Sequence, residues 1–498
     1  MRLNRLTVDL KKTRNIINIV LQFSIFFITL ALLFFPPEKS SLGYRTIFLF
    51  LGFSSTLLFL FCRKLNSHGW VSISFIFILG YSIVHFQVGV LEIFGFTMPK
   101  FTYALMWADE SVKNASIAYS VFGLLCFNLS TTIASHMPTN VSSKKHVSYD
   151  NTISNLLIIF SYVLYIIFFV TAGSYTSGGY GENDGSTISI FAYKYFNIIL
   201  TAAIICRLGL ISKLKQKKII LLNYLKLLSF PLLALCGWHM LFSLYIGDRG
   251  VVIFYAICLS CLYFTRFNKP KFITIIIGII ILSIVLTFVG QVRLLRHSGD
   301  TFVDRVGQVS GEEEDKSKWF DTKVPLSGTL ELALSGRTLN HALKNVPSIY
   351  PHTLGSFQVQ RLLAIFPGLS GLYNSYIYNG DKRYDASTNF ITFLIQGNNP
   401  AYGDGTSITA DLYLDFGPSG IFIGMTLLGL FIGLLERRLF KGSFYSTNIL
   451  WISVIVILSK AIYMSRGTLL SELYVIVNVW LVINILNLII RHIKNRKY

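Results

Sequence analysis

The sequence predicts an all-α polytopic membrane protein: about twelve transmembrane helices, with a large, partly helical outer loop between helices nine and ten. Three observations carry that class. Only 14% of the residues are charged and 53% are apolar, against roughly 25% charged in an ordinary soluble domain. The apolar residues fall in long runs that match the about 20 residues a helix needs to cross a bilayer. Runs such as 272–289 are apolar on every face, whereas a membrane β-strand alternates apolar and polar, so helices are the remaining way to span lipid.

The spans read from the runs are 16–35, 45–62, 70–91, 115–133, 153–172, 188–211, 219–246, 250–265, 272–289, 407–435, 448–464 and 470–490. The basic start, residues 1–14, leads into an apolar run that ends in Phe34-Phe35-Pro36-Pro37 with no small-residue cleavage site, so the first span is expected to be retained. With the N terminus inside, the inner segments hold 23 Lys and Arg and the short outer loops hold six, which orients the chain with both termini cytoplasmic. The organisation expected is spans one to nine over 1–289, an outer cap over 290–406, and spans ten to twelve with a basic tail over 407–498. The cap carries 11 acidic and 11 basic residues and is too long for an idle connector. Helices are expected there near 330–346 and 357–365, between breakers such as Pro347, Pro351, Pro367 and Gly368. No internal repeat is visible, which argues against a transporter of two matching halves.

The net charge of +20 does not point to nucleic acid, because the basic residues flank spans rather than line one soluble face. The six cysteines, at 62, 126, 206, 236, 258 and 261, sit within or at the edge of apolar runs, so no disulfide framework is expected and the Cys258–Cys261 pair reads as packing. No zinc motif, P-loop, dinucleotide fingerprint, nucleophile elbow or Asp-x-Asp metal site appears. No metal and no cofactor are therefore expected.

Chemistry is expected where charges stand at the outer ends of spans, since placing them near hydrocarbon is costly. Arg249 occupies the turn Gly-Asp-Arg-Gly (247–250), Arg293 lies just past span nine, and Lys194, Lys460 and Arg466 mark the outer ends of spans six and eleven. A diphosphate on a lipid carrier sits at that depth, and guanidinium forks pair with phosphate oxygens. Span ten opens with Thr406-Ser-Ile-Thr-Ala-Asp-Leu-Tyr-Leu-Asp-Phe-Gly-Pro-Ser-Gly420. Its Asp411 and Asp415 are spaced i, i+4 on one helix face, just before Gly417 and Pro418 break the helix. They are candidates for proton transfer, or counter-ions to Arg249 or Arg466. In the cap, Arg337 and His341 share a helix face and Arg361 lies on the next helix. They could hold phosphate and move a proton. His85 and His239 read as helix-packing polars, and Glu312 to Asp315 as a solvated acidic bulge. The cap tyrosines and asparagines make a candidate glycan groove, although an interfacial aromatic belt accounts for part of that pattern.

The span layout, the Gly-Asp-Arg-Gly turn and above all residues 405–420 resemble the O-antigen polymerases of the Wzy type, which carry an acidic residue, Tyr and Phe-Gly-x-x-Gly at this place. Related O-antigen ligases have His-Asn where this chain has Thr406-Ser407, which argues for polymerase over ligase. The resemblance implies a metal-independent, membrane-embedded glycosyltransferase of the bacterial inner membrane. It would join undecaprenyl-diphosphate-linked oligosaccharide repeat units into O-antigen on the outer membrane face, with a flippase and a chain-length regulator as partners. On that reading Arg249, Arg293, Arg337, Arg361 and Arg466 hold diphosphate, and Asp411, Asp415 and His341 are the candidates to deprotonate the acceptor hydroxyl. A ligase and a lipid-linked oligosaccharide flippase are the alternatives.

Overall fold

The computed structural model describes residues 2–65, 69–137, 150–173, 186–214, 218–246, 248–275, 277–278, 319–322, 324–441 and 447–496. Among these residues every regular element is helical, and nine helices are long and apolar enough to cross a membrane: Thr13–Leu33, Leu42–Phe61, Ile73–Ile93, Val112–His136, Asp150–Thr171, Thr187–Ser212, Arg249–Phe267, Ile408–Arg437 and Leu473–Asn495. Of the twelve expected spans, three are not matched by a single long helix among the described residues. The run 219–246 is two helices, Leu221–Leu228 and Phe230–Ile246, bent by 96°. The break lies at Ser229, whose φ of +73° is foreign to a helix, beside Pro231, which has no N–H to continue one. The run 448–464 is helical only over Ile449–Lys460. After Lys460 the chain leaves the helix, turns at Met464–Arg466, and passes so close to Gly80 that a Cβ there would collide with the Ile462 carbonyl. The run 272–289 is described only to residue 278. The rest of it, Arg293 and the acidic bulge lie outside the described residues.

The chain forms two compact units. The first comprises Met1–Thr139, Glu314–Arg437 and Ala461–Ser471. Its most enclosed span is Val112–His136, which presents small and polar residues to its neighbours. Asn128 donates to Ser55 Oγ at 3.2 Å and Thr132 to Gln22 Oε1 at 3.3 Å. Gly429 and Gly433 repeat the small-xxx-small spacing that lets membrane helices approach closely. A Cβ on Gly429 would overlap Ser130 Oγ and stand 2.6 Å from the Phe127 carbonyl. One on Gly433 would stand 2.6 Å from the Ala134 Cβ. Ile73–Ile93 begins at Ser72, whose hydroxyl accepts from Phe75 N, and the buried Glu436 carboxylate receives Ser74 N at 2.7 Å and Ser74 Oγ at 2.8 Å. A carboxylate at a helix start meets free amides and the positive end of the dipole.

The second unit comprises Asn140–Glu313, Arg438–Lys460 and Glu472–Tyr498. Thr187–Ser212 is its most enclosed helix and packs along Asp150–Thr171. His239 is fully buried among the rings of Tyr165, Phe196 and Tyr255, with Tyr165 Oη 3.2 Å from its Nδ1. Arg249–Leu262 starts from Asp248, whose Oδ1 accepts Gly250 N at 3.0 Å and Val251 N at 3.4 Å.

The glycine contacts give a direct test. Gly429→Ala should lower stability by about 1–3 kcal/mol, the usual cost of overpacking, seen as a lower melting temperature of the purified protein in detergent. Gly371→Ala, in a helix with nothing within 4 Å of the added carbon, should leave that temperature unchanged or raise it.

Candidate functional site

The helix Ile408–Lys441 is interrupted at Gly417, where φ is +64° and ψ is −149°, and Pro418 follows. In an unbroken helix the Leu414 carbonyl would accept from the N–H of residue 418, which proline lacks. The turn at Gly417 removes the Asp415 carbonyl from its helical partner as well. Both acceptors are satisfied from elsewhere in the unit: Thr353 N donates to Leu414 O and Leu354 N to Asp415 O, each at 3.0 Å. Glycines permit the approach. A Cβ on Gly355 would be 2.7 Å from Phe416 Cζ, and one on Gly417 would be 3.1 Å from His352 Nε2.

The two aspartates extend this contact. Asp415 is fully buried and accepts from Thr353 Oγ1 at 2.6 Å and from Phe357 N and Gln358 N at 3.3 Å. Those amides belong to the first turn of Ser356–Leu363, so Asp415 satisfies the open end of that helix. One turn earlier, Asp411 is equally buried and accepts from Ser387 Oγ at 2.5 Å, Gln358 Nε2 at 2.7 Å and Leu469 N at 3.0 Å. Gln358 therefore touches both carboxylates. Among the described residues of this unit neither aspartate is ion-paired, and the donors that hold them are neutral. Three donors on each leave little of a carboxylate's acceptor capacity for a substrate.

Arg337 and His341 lie on Arg337–Asn345. The helix begins against Ile73–Ile93, where a Cβ on Gly336 would be 2.5 Å from the Val84 carbonyl. Arg337 is buried, ion-paired with the fully enclosed Asp404 side chain and placed over the Trp319 ring at 5.5 Å. Asp404 also accepts from Gln396. Three consecutive polar side chains of this helix serve the end of Lys100–Trp107: Asn340 donates to Met106 O at 2.7 Å, His341 Nε2 stands 3.0 Å from Leu105 O, and Lys344 donates to Ala108 O at 3.1 Å. These are carbonyls that a helix terminus leaves open. His341 thus gives its Nε2–H to the fold and keeps the Nδ1 lone pair. Burial holds its pKa below the ordinary 6.5, with the Leu105 hydrogen bond acting the other way.

Of the remaining expected cations, Arg361 is half-buried and makes no ion pair or hydrogen bond among the described residues. Arg466 stands 3.8 Å from Glu331 Oε1, on the stretch whose Leu469 amide reaches Asp411. Arg249 is the first residue of a helix in the second unit. The cap tyrosines divide: Tyr378 and Tyr384 stack on each other at 4.4 Å, with Phe390 next to Tyr384 at 5.0 Å, while Tyr376 and Tyr402 are exposed. His85 lies in a buried polar chain, 3.3 Å from Ser120 Oγ and 3.1 Å from Thr409 Oγ1. Spacing did not single out Gln358, Thr353, Ser387 or Asp404. Only Asp404 had a signal, because a buried Arg requires a nearby carboxylate. Among the described residues no group of three or more His, Cys, Asp or Glu stands close enough to hold a metal ion.

A family model described as O-antigen polysaccharide polymerase Wzy matches residues 16–497. The chain belongs to that family. No curated protein and no solved structure is similar to it at a significant level. Membership in the Wzy family, with the apolar helices, makes it an integral membrane protein with a role in O-antigen polymerisation, acting on lipid-linked oligosaccharide repeat units. The Wzy-like segment 405–420 is the kinked opening of Ile408–Lys441, and Asp411, Asp415, Phe416 and Gly417 within it meet residues 352–358.

Removing a buried hydrogen-bonded carboxylate should be costly here. Asp415→Ala leaves the Phe357 and Gln358 amides without an acceptor, at about 1–3 kcal/mol for each unsatisfied group. Limited proteolysis should then cut within 352–363 faster than in the wild type, whereas Asp415→Asn, which keeps an acceptor oxygen, should show a smaller change.

Proposed function

We propose that the chain is a membrane-embedded glycosyltransferase of the bacterial inner membrane, with both termini cytoplasmic and the segment between its ninth and tenth spans on the outer face. A glycan carried on a polyprenyl diphosphate is transferred to a second lipid-linked repeat unit. The bond between the anomeric carbon and the diphosphate oxygen breaks, and a glycosidic bond to an acceptor hydroxyl forms. The hydroxyl proton leaves to a base, and the polyprenyl diphosphate departs with its electron pair. The observation that supports this reading best is the family match over nearly the whole chain, joined to a family-like motif that anchors an inter-span segment rich in Arg and Tyr.

In this account Asp411 and Asp415 are positioning residues, because their lone pairs are spent on the segment they anchor. His341 is the proposed general base. Burial keeps its ring neutral at physiological pH and Nδ1 is free to take the hydroxyl proton. Arg361, with no partner among the described residues, and Arg466, loosely paired with Glu331, have donors to spare for a diphosphate. Arg337 has part of its fork in Asp404 and orients rather than leads. Arg249 and Arg293 remain proposed diphosphate ligands.

Deleting the gene should collapse the surface-polysaccharide ladder on a gel to a single repeat unit on its acceptor, and the wild-type gene should restore it. Full-length polymer retained on its lipid carrier would instead mean a ligase, and single lipid-linked units retained on the inner face a flippase. His341→Gln keeps a donor for Leu105 but no base, so it should complement poorly while accumulating at wild-type levels. In membranes, the wild-type rate should fall on the acid side only below about pH 6.5, the ordinary imidazole value, since the lowered pKa keeps the base unprotonated further down. Full complementation by His341→Gln would move the base elsewhere, with His352 next to be tested.

A further inference from the structure

The second unit holds a half-open cavity of about 480 Å³ that the proposed mechanism does not use. Its size falls within the about 300–1,000 Å³ usual for ligand sites. Most of its wall is aromatic or aliphatic, and two lysines, Lys194 and Lys460, line it. Neither lysine has a carboxylate within 4 Å among the described residues. Lys194 Nζ lies over the Tyr474 ring at 4.4 Å and Lys460 Nζ over the Phe254 ring at 5.2 Å. The acidic residue in the wall, Asp248, is committed through Oδ1 to the amides of Gly250 and Val251. An ionisable side chain in a spanning segment is costly, and a pair around one cavity marks a ligand more often than packing does. Rings hold an ammonium weakly compared with the charge-assisted hydrogen bonds a phosphate offers.

The cavity also lies at the end of the unit where a lipid headgroup would be met. It gathers the starts of Thr187–Ser212, Arg249–Leu262 and Leu473–Asn495 and the close of Ile449–Lys460. The opposite ends carry Lys213, Arg266 and Lys494, which the charge distribution assigns to the cytoplasm. Joining two lipid-linked molecules requires two places for phosphate, and this cavity offers one apart from the cations of the first unit.

We propose that this cavity, through Lys194 and Lys460, binds the diphosphate end of one of the two lipid-linked substrates, with its aromatic wall taking the first isoprene units. The proposal rests on the polymerase reading for the identity of the lipid, but the binding site can be tested without it.

The purified full chain in detergent is titrated with farnesyl diphosphate, with inorganic pyrophosphate and with a short-chain phosphatidylglycerol. Lys194→Gln and Lys460→Gln should each weaken farnesyl diphosphate binding by about tenfold or more, the equivalent of one charge-assisted hydrogen bond. Lys226→Gln, on Leu221–Leu228, should leave it unchanged. Pyrophosphate alone and the phosphatidylglycerol should bind more weakly than farnesyl diphosphate. Unaltered affinity in both cavity variants overturns the site, equal binding of pyrophosphate overturns the lipid wall, and equal binding of phosphatidylglycerol overturns specificity for a diphosphate. If the Lys194→Gln, Lys460→Gln double variant loses binding yet restores the polysaccharide ladder, the link to polymerisation falls. Failure of the wild type to support a ladder would instead overturn the polymerase reading alone.

Discussion

A proline that cannot donate and a glycine that turns left-handed leave two backbone carbonyls open near the start of the helix Ile408–Lys441. The site in the first unit is built on that break. Thr353 and Leu354 fill the two vacant acceptors, which brings the start of Ser356–Leu363 beside Asp415. Once there, the first-turn amides of that helix find the Asp415 carboxylate and Gln358 reaches Asp411. Asp411 in turn holds Ser387 and the 461–471 stretch with Arg466. A kinked helix is usually costly because polar groups are stranded in a dry environment. Here the Leu414 and Asp415 carbonyls each anchor another segment, so the cost of the kink is offset by the placement of the residues around it.

The architecture was legible in the sequence to the extent that hydrophobic runs and breakers report it. Nine spans, the helices near 337–345 and 356–363, and the kink at Gly417 and Pro418 all follow from periodicity and from residues that cannot continue a helix. The run 219–246 reads as one straight span because a continuous apolar stretch has no signal for direction: Pro231 marks a break, but not the 96° bend at Ser229. Lys460 ends its helix for a tertiary reason, since the following residues pack against the bare backbone at Gly80.

The site was less legible than the fold. Asp411 and Asp415 were recognisable as expensive, and i, i+4 spacing placed them on one face, but spacing alone cannot tell a carboxylate kept free for chemistry from one whose lone pairs are filled. Their partners Gln358, Thr353, Ser387 and the Leu469 amide come from distant segments and include main-chain donors that carry no residue identity. His341 shows the same ambiguity in one ring, with one nitrogen spent on Leu105 and the other available. Arg337 reads from the sequence as a phosphate ligand, and its burial against Asp404 and Trp319 adds a share in holding the segment together.

The helix break at Gly417 and Pro418 holds residues 352–358 in place. Hydrogen–deuterium exchange of the amides of Thr353, Leu354, Phe357 and Gln358 tests it most directly, comparing the wild type with the Gly417→Ala, Pro418→Ala double variant. The added N–H and the α-preferring residues let the helix continue and reclaim its own carbonyls. Those four amides should exchange about tenfold faster or more in the variant, while amides of Val112–His136 keep their protection. Unchanged protection at 353–358 would contradict it.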